Sequence, residues 1–226
     1  MIDVIYEDNH ILVVIKPQNI PTQEDSSGDK DMLTLVKEYI KEKYNKPGNV
    51  YVGLVHRLDR PTGGVMVFAK TSKAAARLSE AIKNNELTKN YLTVVNGEPR
   101  VHQQKLTDYL KKNEKTNMVT VVGSAVSGAK YAELNYETLA TEQNTSLVKV
   151  DLITGRSHQI RAQFSNMGNP VYNDFKYGAK TKGNLMLWAY KLVLIHPVTQ
   201  KKMTFTVLPE IKGKWALYEN LISTLA

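Results

Sequence analysis

The chain has 226 residues, of which 42% are hydrophobic, so it can bury a core without disulfides or a structural metal. It has no cysteine, which excludes disulfides and thiolate metal sites and permits a reducing compartment. Against 22 Asp+Glu stand 30 Lys+Arg, a net charge of +8 that suits a polyanionic partner; no apolar run is long enough for a membrane-spanning helix, and the acid-bearing N-terminus is no signal peptide.

Two β-rich runs, 2–6 and 11–15, flank Glu7-Asp8-Asn9-His10 and predict a hairpin; Lys16-Pro17 ends its second strand, because proline cannot continue a ladder. Residues 18–29 read as a polar loop. Apolar residues Leu33, Val36, Tyr39, Ile40 and Tyr44 recur at helical spacing across 31–45, with charges on the other face, until Lys46-Pro47-Gly48-Asn49 stops the helix. Residues 51–55 and 65–69 read as strands on either side of His56-Arg57-Leu58-Asp59-Arg60-Pro61-Thr62-Gly63-Gly64.

Thr71 or Ser72 caps a second helix that runs to about Asn84. A strand over 87–95 ends at Asn96-Gly97. Residues 99–130 are less regular and more basic than the rest, with a short strand at 119–122, and read as loops suited to phosphate contacts or as a plain solvated surface. Strands at 131–139 and 146–153 lead into Thr154–Phe164, where a strand passes into a helix that carries Arg156, His158 and Arg161. A loop at 173–178, a strand pair at 185–194 and 202–207, and a helix at 215–225 complete the chain. The pattern predicts an α+β protein with a large mixed or mostly antiparallel sheet and flanking helices, organised as a single domain over 1–226.

Asp59 between two arginines is the notable constellation. Adjacent cations favour an ionised carboxylate, which can serve as a nucleophile or base; the same residues also suit a surface salt bridge in a turn. Other chemistries fail. Ser157 and His158 are adjacent and cannot face one another; Gly178-Ala179-Lys180-Thr181 lacks the glycines of a phosphate loop. The five histidines are scattered without metal-ligand spacing, and no dinucleotide fingerprint exists. A basic protein with a carboxylate near arginines fits cofactor-free chemistry on a nucleic acid, where a base must be flipped from its stack.

His56-Arg57-Leu58-Asp59 with Thr62-Gly63-Gly64 resembles the signature of the RluA-type pseudouridine synthases. The early strand ending in Lys16-Pro17, Lys89-Asn90-Tyr91, Thr154-Gly155-Arg156-Ser157-His158-Gln159-Ile160-Arg161, and Asp174 with Tyr177-Gly178 are similar to that family's further motifs, in the same order. The resemblance implies the pseudouridine synthase catalytic fold and isomerisation of uridine to pseudouridine in ribosomal or transfer RNA, without cofactor or metal.

It further implies that Asp59 is the essential carboxylate, acting at C1′ or as a base at C2′. Tyr91 would stack on the base and help remove the C5 proton, Arg161 would pair with Asp59, and Arg57 would fill the gap left by the flipped nucleotide. Arg156, His158 and Leu187 would contact the RNA, while Arg60 receives no role. Departures are Asn19 and Asn173 where the family has glycine, and Trp188 where it often has histidine. The resemblance also leads us to expect a cytoplasmic monomer without the small N-terminal S4-like RNA-binding domain of many relatives. Two alternatives stay open: an RNA-binding or chaperone protein that has lost catalysis, and a small-molecule enzyme whose arginines hold a carboxylate substrate.

Overall fold

A computed structural model describes residues 2–226. Among these the strands are β1 (Asp3–Glu7), β2 (Ile11–Lys16), β3 (Gly53–Leu54), β4 (Gly63–Ala69), β5 (Thr88–Asn96), β6 (Gln103–Asn113), β7 (Met118–Val122), β8 (Lys130–Glu142), β9 (Thr145–Leu152), β10 (Leu187–Ile195) and β11 (Lys202–Thr206). The helices are α1 (Met32–Lys43), α2 (Ser72–Lys83), α3 (Gln159–Asn166) and α4 (Glu219–Ser223). The architecture is α+β with mostly antiparallel sheet, as predicted. The chain divides into two compact units, Met1–Thr88 with Ala189–Val207, and Lys89–Trp188 with Leu208–Ala226.

In the first unit β1 pairs β2, β2 pairs β4, and β10 pairs β11, all antiparallel; β4 also neighbours β10. The β1–β2 hairpin closes where the Asp8 carboxylate accepts the amides of His10 and Ile11. β4 is buried along its whole length, as a strand covered on both faces must be, and Ala74 and Leu78 of α2 pack on the cluster around Val13, Val65 and Val67. Both long helices start where a side chain caps them, Asp31 accepting from Thr34 N and Thr71 from Ala74 N. Gly64, at φ 129°, lies so close to the backbone of Ala189 that an added Cβ would stand 2.2 Å from its carbonyl oxygen, so only glycine lets β10 approach.

In the second unit the strand order is β5-β9-β8-β6-β7, antiparallel throughout. Phe164 of α3 packs edge-on to Tyr136 of β8, and Ala162 joins Leu110, Val119, Ala132 and Tyr177 in a buried cluster.

The structure corrects three sequence expectations. The region 99–130 is not irregular: β6 runs 11 residues through it. Only Leu106 and Leu110 of that strand are buried, so its alternation is faint, and its ladder is supplied by neighbours on both sides. The strand expected over 51–55 shrinks to Gly53–Leu54. The C-terminal helix begins as a 3-10 turn, Gly213–Tyr218, before α4.

Candidate active site

Asp59 is half-buried in a tight turn that leads into β4, closed by Thr62 N–H donating to Asp59 O at 2.9 Å. That turn is held from one stretch of chain, residues 16–22. The Lys16 side chain, fully buried at the end of β2, donates to Pro17 O (3.0 Å), Arg60 O (3.0 Å) and Thr62 O (2.8 Å). Gln18 Nε2 donates to Pro61 O at 3.0 Å, and Asn19 N–H to Arg60 O at 2.8 Å. Thr22 Oγ1 donates to Leu58 O at 2.8 Å and accepts from Leu58 N–H. Asn19 adopts φ 67°, so asparagine does preserve the left-handed turn where the family has glycine.

Burial pushes the Lys16 ammonium down to about 7, opposed by the charge of Asp59 and reinforced by that of Arg60. Its three carbonyl acceptors require all three ammonium protons, so the geometry holds the charged form. Within this unit Lys16 is thus a cation coupled to Asp59, a role that adjacency in sequence had suggested for Arg57 and Arg60. Arg57 is exposed, and the Arg60 guanidinium turns to Asp25, Ser27 and Asp29. His56 is structural: its Nε2 accepts Val67 N–H at 3.1 Å, tying the segment before the turn to β4.

The second unit holds the other expected residues. Tyr91 lies on β5, 6% exposed, opposite Val150 of β9. Two residues before it, Lys89 Nζ lies beside Gly155, at ordinary van der Waals distance (3.5 Å) from where a Cβ there would stand. Burial lowers the Lys89 ammonium and Asp151 partly restores it. The segment before α3 is wired by one buried side chain: Gln159 Oε1 accepts from Thr154 Oγ1 (2.8 Å) and Arg156 N–H (3.0 Å), while its Nε2 donates to Glu133 O. His158, at φ 49°, then turns the chain into the helix.

Arg161, in the first turn of α3, is buried and doubly bonded to buried Asp174: Nε to Oδ2 at 2.6 Å and Nη2 to Oδ1 at 2.8 Å. Its guanidinium carbon lies 4.8 Å from the centre of the Tyr177 ring. Tyr177 Oη accepts Val119 N–H and meets His158 Nδ1 at 2.7 Å. Asp174 is delivered by a turn in which Asn173 takes φ 66° and Gly178 φ 97°, so Asn173, like Asn19, does the work of a glycine. Arg156 is exposed, with Nε donating to Tyr131 O at 2.8 Å; Leu187 is buried at the start of β10.

The sequence reading passed over Lys16 and Thr22 as anchors of the turn, and Asp174 and Tyr177 as holders of Arg161. The available signals were Lys-Pro ending a strand and the Asp174…Tyr177-Gly178 spacing. Among the described residues, no three His, Asp or Glu side chains gather where they could hold a metal ion.

The profile of the RNA pseudouridylate synthase family matches residues 10–166. A Bacillus subtilis (strain 168) protein named uncharacterized RNA pseudouridine synthase YjbO is 34% identical over 226 residues, covering 97% of this chain and 77% of its own. A Buchnera aphidicola (subsp. Schizaphis graminum) protein named ribosomal large subunit pseudouridine synthase C is 30% identical over 233 residues, covering 99% and 70%. The chain spans between 64% and 77% of the length of such curated relatives. In fold it is similar to the solved structure of human RNA pseudouridylate synthase domain containing 4, with a TM-score of 0.77 at 18% identity over 98% of this chain and 93% of that one.

Proposed function

The chain belongs to the RNA pseudouridylate synthase family, and on that premise we propose that it isomerises specific uridines to pseudouridine in structured RNA, with Asp59 as the essential carboxylate. The observation that carries this reading is the family match over 10–166, which includes Asp59, Tyr91 and Arg161, each within a motif. A target uridine is flipped from its stack and Arg57 fills the space it leaves. The N1–C1′ bond breaks, with Asp59 either attacking C1′ to form an ester that C5 later displaces, or removing the C2′ proton and returning it to C2′ as C5 bonds to C1′. The freed uracil turns, C5 bonds to C1′, the C5 proton leaves with help from Tyr91, and N1 gains a proton. Atoms and electrons balance within the nucleotide, so no cofactor, metal or redox partner is needed.

Arg161 is the arginine that the resemblance assigns to act with Asp59 in the reaction. Arg156, His158 and Leu187 contact the RNA around the target. The net charge of +8 supports a polyanionic substrate. Ribosomal or transfer RNA is the substrate class, and ribosomal RNA is tested first because of the Buchnera relative's name. The same reading has the protein working as a monomer in the cytoplasm.

The test is direct. Wild type and Asp59→Asn are incubated with unmodified ribosomal and transfer RNA, and pseudouridine is mapped chemically. Wild type should form pseudouridine at discrete positions, and the variant should lose at least about 1000-fold in rate while still binding RNA. RNA binding without any isomerisation by wild type would instead identify an RNA-binding protein that has lost catalysis.

A further inference from the structure

Between buried Thr22 and buried Asp31 the chain makes an exposed excursion, residues 23–30. Its two ends are fixed: Thr22 grips Leu58, Met32 N–H donates to Pro21 O at 2.8 Å, and Asp31 caps α1. The excursion is tied to the Asp59 turn through the Arg60 side chain. Arg60 Nη1 donates to Ser27 Oγ at 2.8 Å and lies 3.6 Å from Asp25 Oδ2, and Nη2 is paired with Asp29. The excursion carries Glu24, Asp25 and Asp29 against Lys30 alone, so an anionic strap lies beside the residue that must meet a polyanion.

This arrangement opposes RNA binding in two ways. It adds negative charge at the rim of the Asp59 turn, and it occupies an arginine one residue from the catalytic carboxylate. Arginine's planar fork matches phosphate and carboxylate alike, so a carboxylate pair can stand in for a phosphate. The contacts are solvent-exposed, hence screened and readily exchanged; Arg60, Asp25 and Asp29 are all about half open to water.

We propose that Arg60 is a binding site for a backbone phosphate of the RNA strand next to the target uridine, and that the strap 23–30 occupies this site until RNA displaces it. The proposal rests on the function argued above and concerns the same site. Asp25 and Asp29 act as a filter: a strand that cannot place a phosphate at Arg60 must compete against two carboxylates without that gain. Arg60, to which the family resemblance gives no role, thereby becomes a substrate contact beside Asp59.

The test uses the full chain and a fluorescein-labelled 20-nucleotide oligouridylate. Asp25→Asn with Asp29→Asn should tighten binding about 3- to 10-fold at low salt. Arg60→Ala should weaken it by a similar factor and reduce the slope of log K against log salt by about 1, the signature of one lost phosphate contact. The triple variant should behave as Arg60→Ala, because the acids act only through that arginine. If the acid pair and Arg60 can each be changed with less than about a 2-fold effect, the site does not exist.

Opening of the strap is read separately. The chain has no cysteine, so Ser26→Cys carries a single spin label on the exposed strap. Adding oligouridylate should mobilise the label, and inorganic phosphate at equal phosphate concentration should not. An unchanged spectrum with RNA overturns the displacement, and equal mobilisation by inorganic phosphate overturns the assignment to an RNA strand. None of these readouts depends on turnover, so they can fail while pseudouridine formation by wild type stands, and the reverse.

Discussion

The Asp59 turn and the Arg161 helix hold their functional groups by opposite means. Asp59 is presented by a backbone turn, and the turn is fixed by a buried cation, Lys16, whose three bonds all go to carbonyls. Arg161 is presented by a helix, and its side chain is fixed by a buried anion, Asp174, through two bonds to the guanidinium itself. The first device fixes the backbone that carries the carboxylate. The second holds one edge of the guanidinium and steadies its face on Tyr177. A short side chain such as aspartate is placed well by fixing its backbone, whereas a long one such as arginine must be gripped near its end.

That contrast can be broken by removing each holder. Asp174→Ala should have the largest effect, because a buried guanidinium loses both of its bonds to this carboxylate; a loss of about 3–5 kcal/mol is expected by denaturant unfolding. Lys16→Met should follow at about 2–4 kcal/mol, since three buried carbonyls lose their donor while the shape of the side chain is roughly kept. The two variants should also differ in kind. At a temperature where both remain folded, Lys16→Met should lower the single-turnover rate by loosening the Asp59 turn, with RNA affinity little changed.

A third buried charge sharpens the point by serving stability alone. Burial would raise the Glu7 carboxyl, but hydrogen bonds from Lys43, Lys70, Tyr44 and Tyr39 outweigh it and hold the group at about 2. A carboxyl depressed in the folded state stabilises fully above its unfolded value near 4.5, and that contribution is lost as pH falls from there towards 2. Wild type should therefore lose unfolding free energy across this window, and Glu7→Gln should flatten that part of the curve. An unaltered acid limb in the variant would show that other carboxylates govern it.

The smallest effect is expected from Tyr177→Phe. The ring that steadies Arg161 remains, but Val119 N–H loses its acceptor and His158 Nδ1 its partner. A cost of about 1 kcal/mol in unfolding free energy is expected. A fall as large as that of Asp174→Ala would mean that the hydroxyl, rather than the carboxylate, organises this region.

Much of the local structure was legible in the sequence. Asp8-Asn9 marked the first hairpin, Thr71 marked the start of α2, and the step from strand to helix at Thr154–Phe164 was readable because each depends on neighbouring residues. The strand β6 was not, because its hydrogen bonds come from distant segments and only two of its side chains are buried. The position of Asp59 in a turn between apolar runs was also legible, as were the motifs that link it to a family. What held that turn was not. Lys16 looked like the last residue of a strand, and two of its three acceptors lie 44 and 46 positions away on the chain. Arg60 looked like a cation for Asp59, yet its guanidinium is engaged by acids 31 to 35 positions upstream. The sequence determined which residues carry charge and where the chain turns, because propensity and periodicity are local. Only the tertiary structure decided which charges meet, because burial sets their partners and folding alone brings distant segments together.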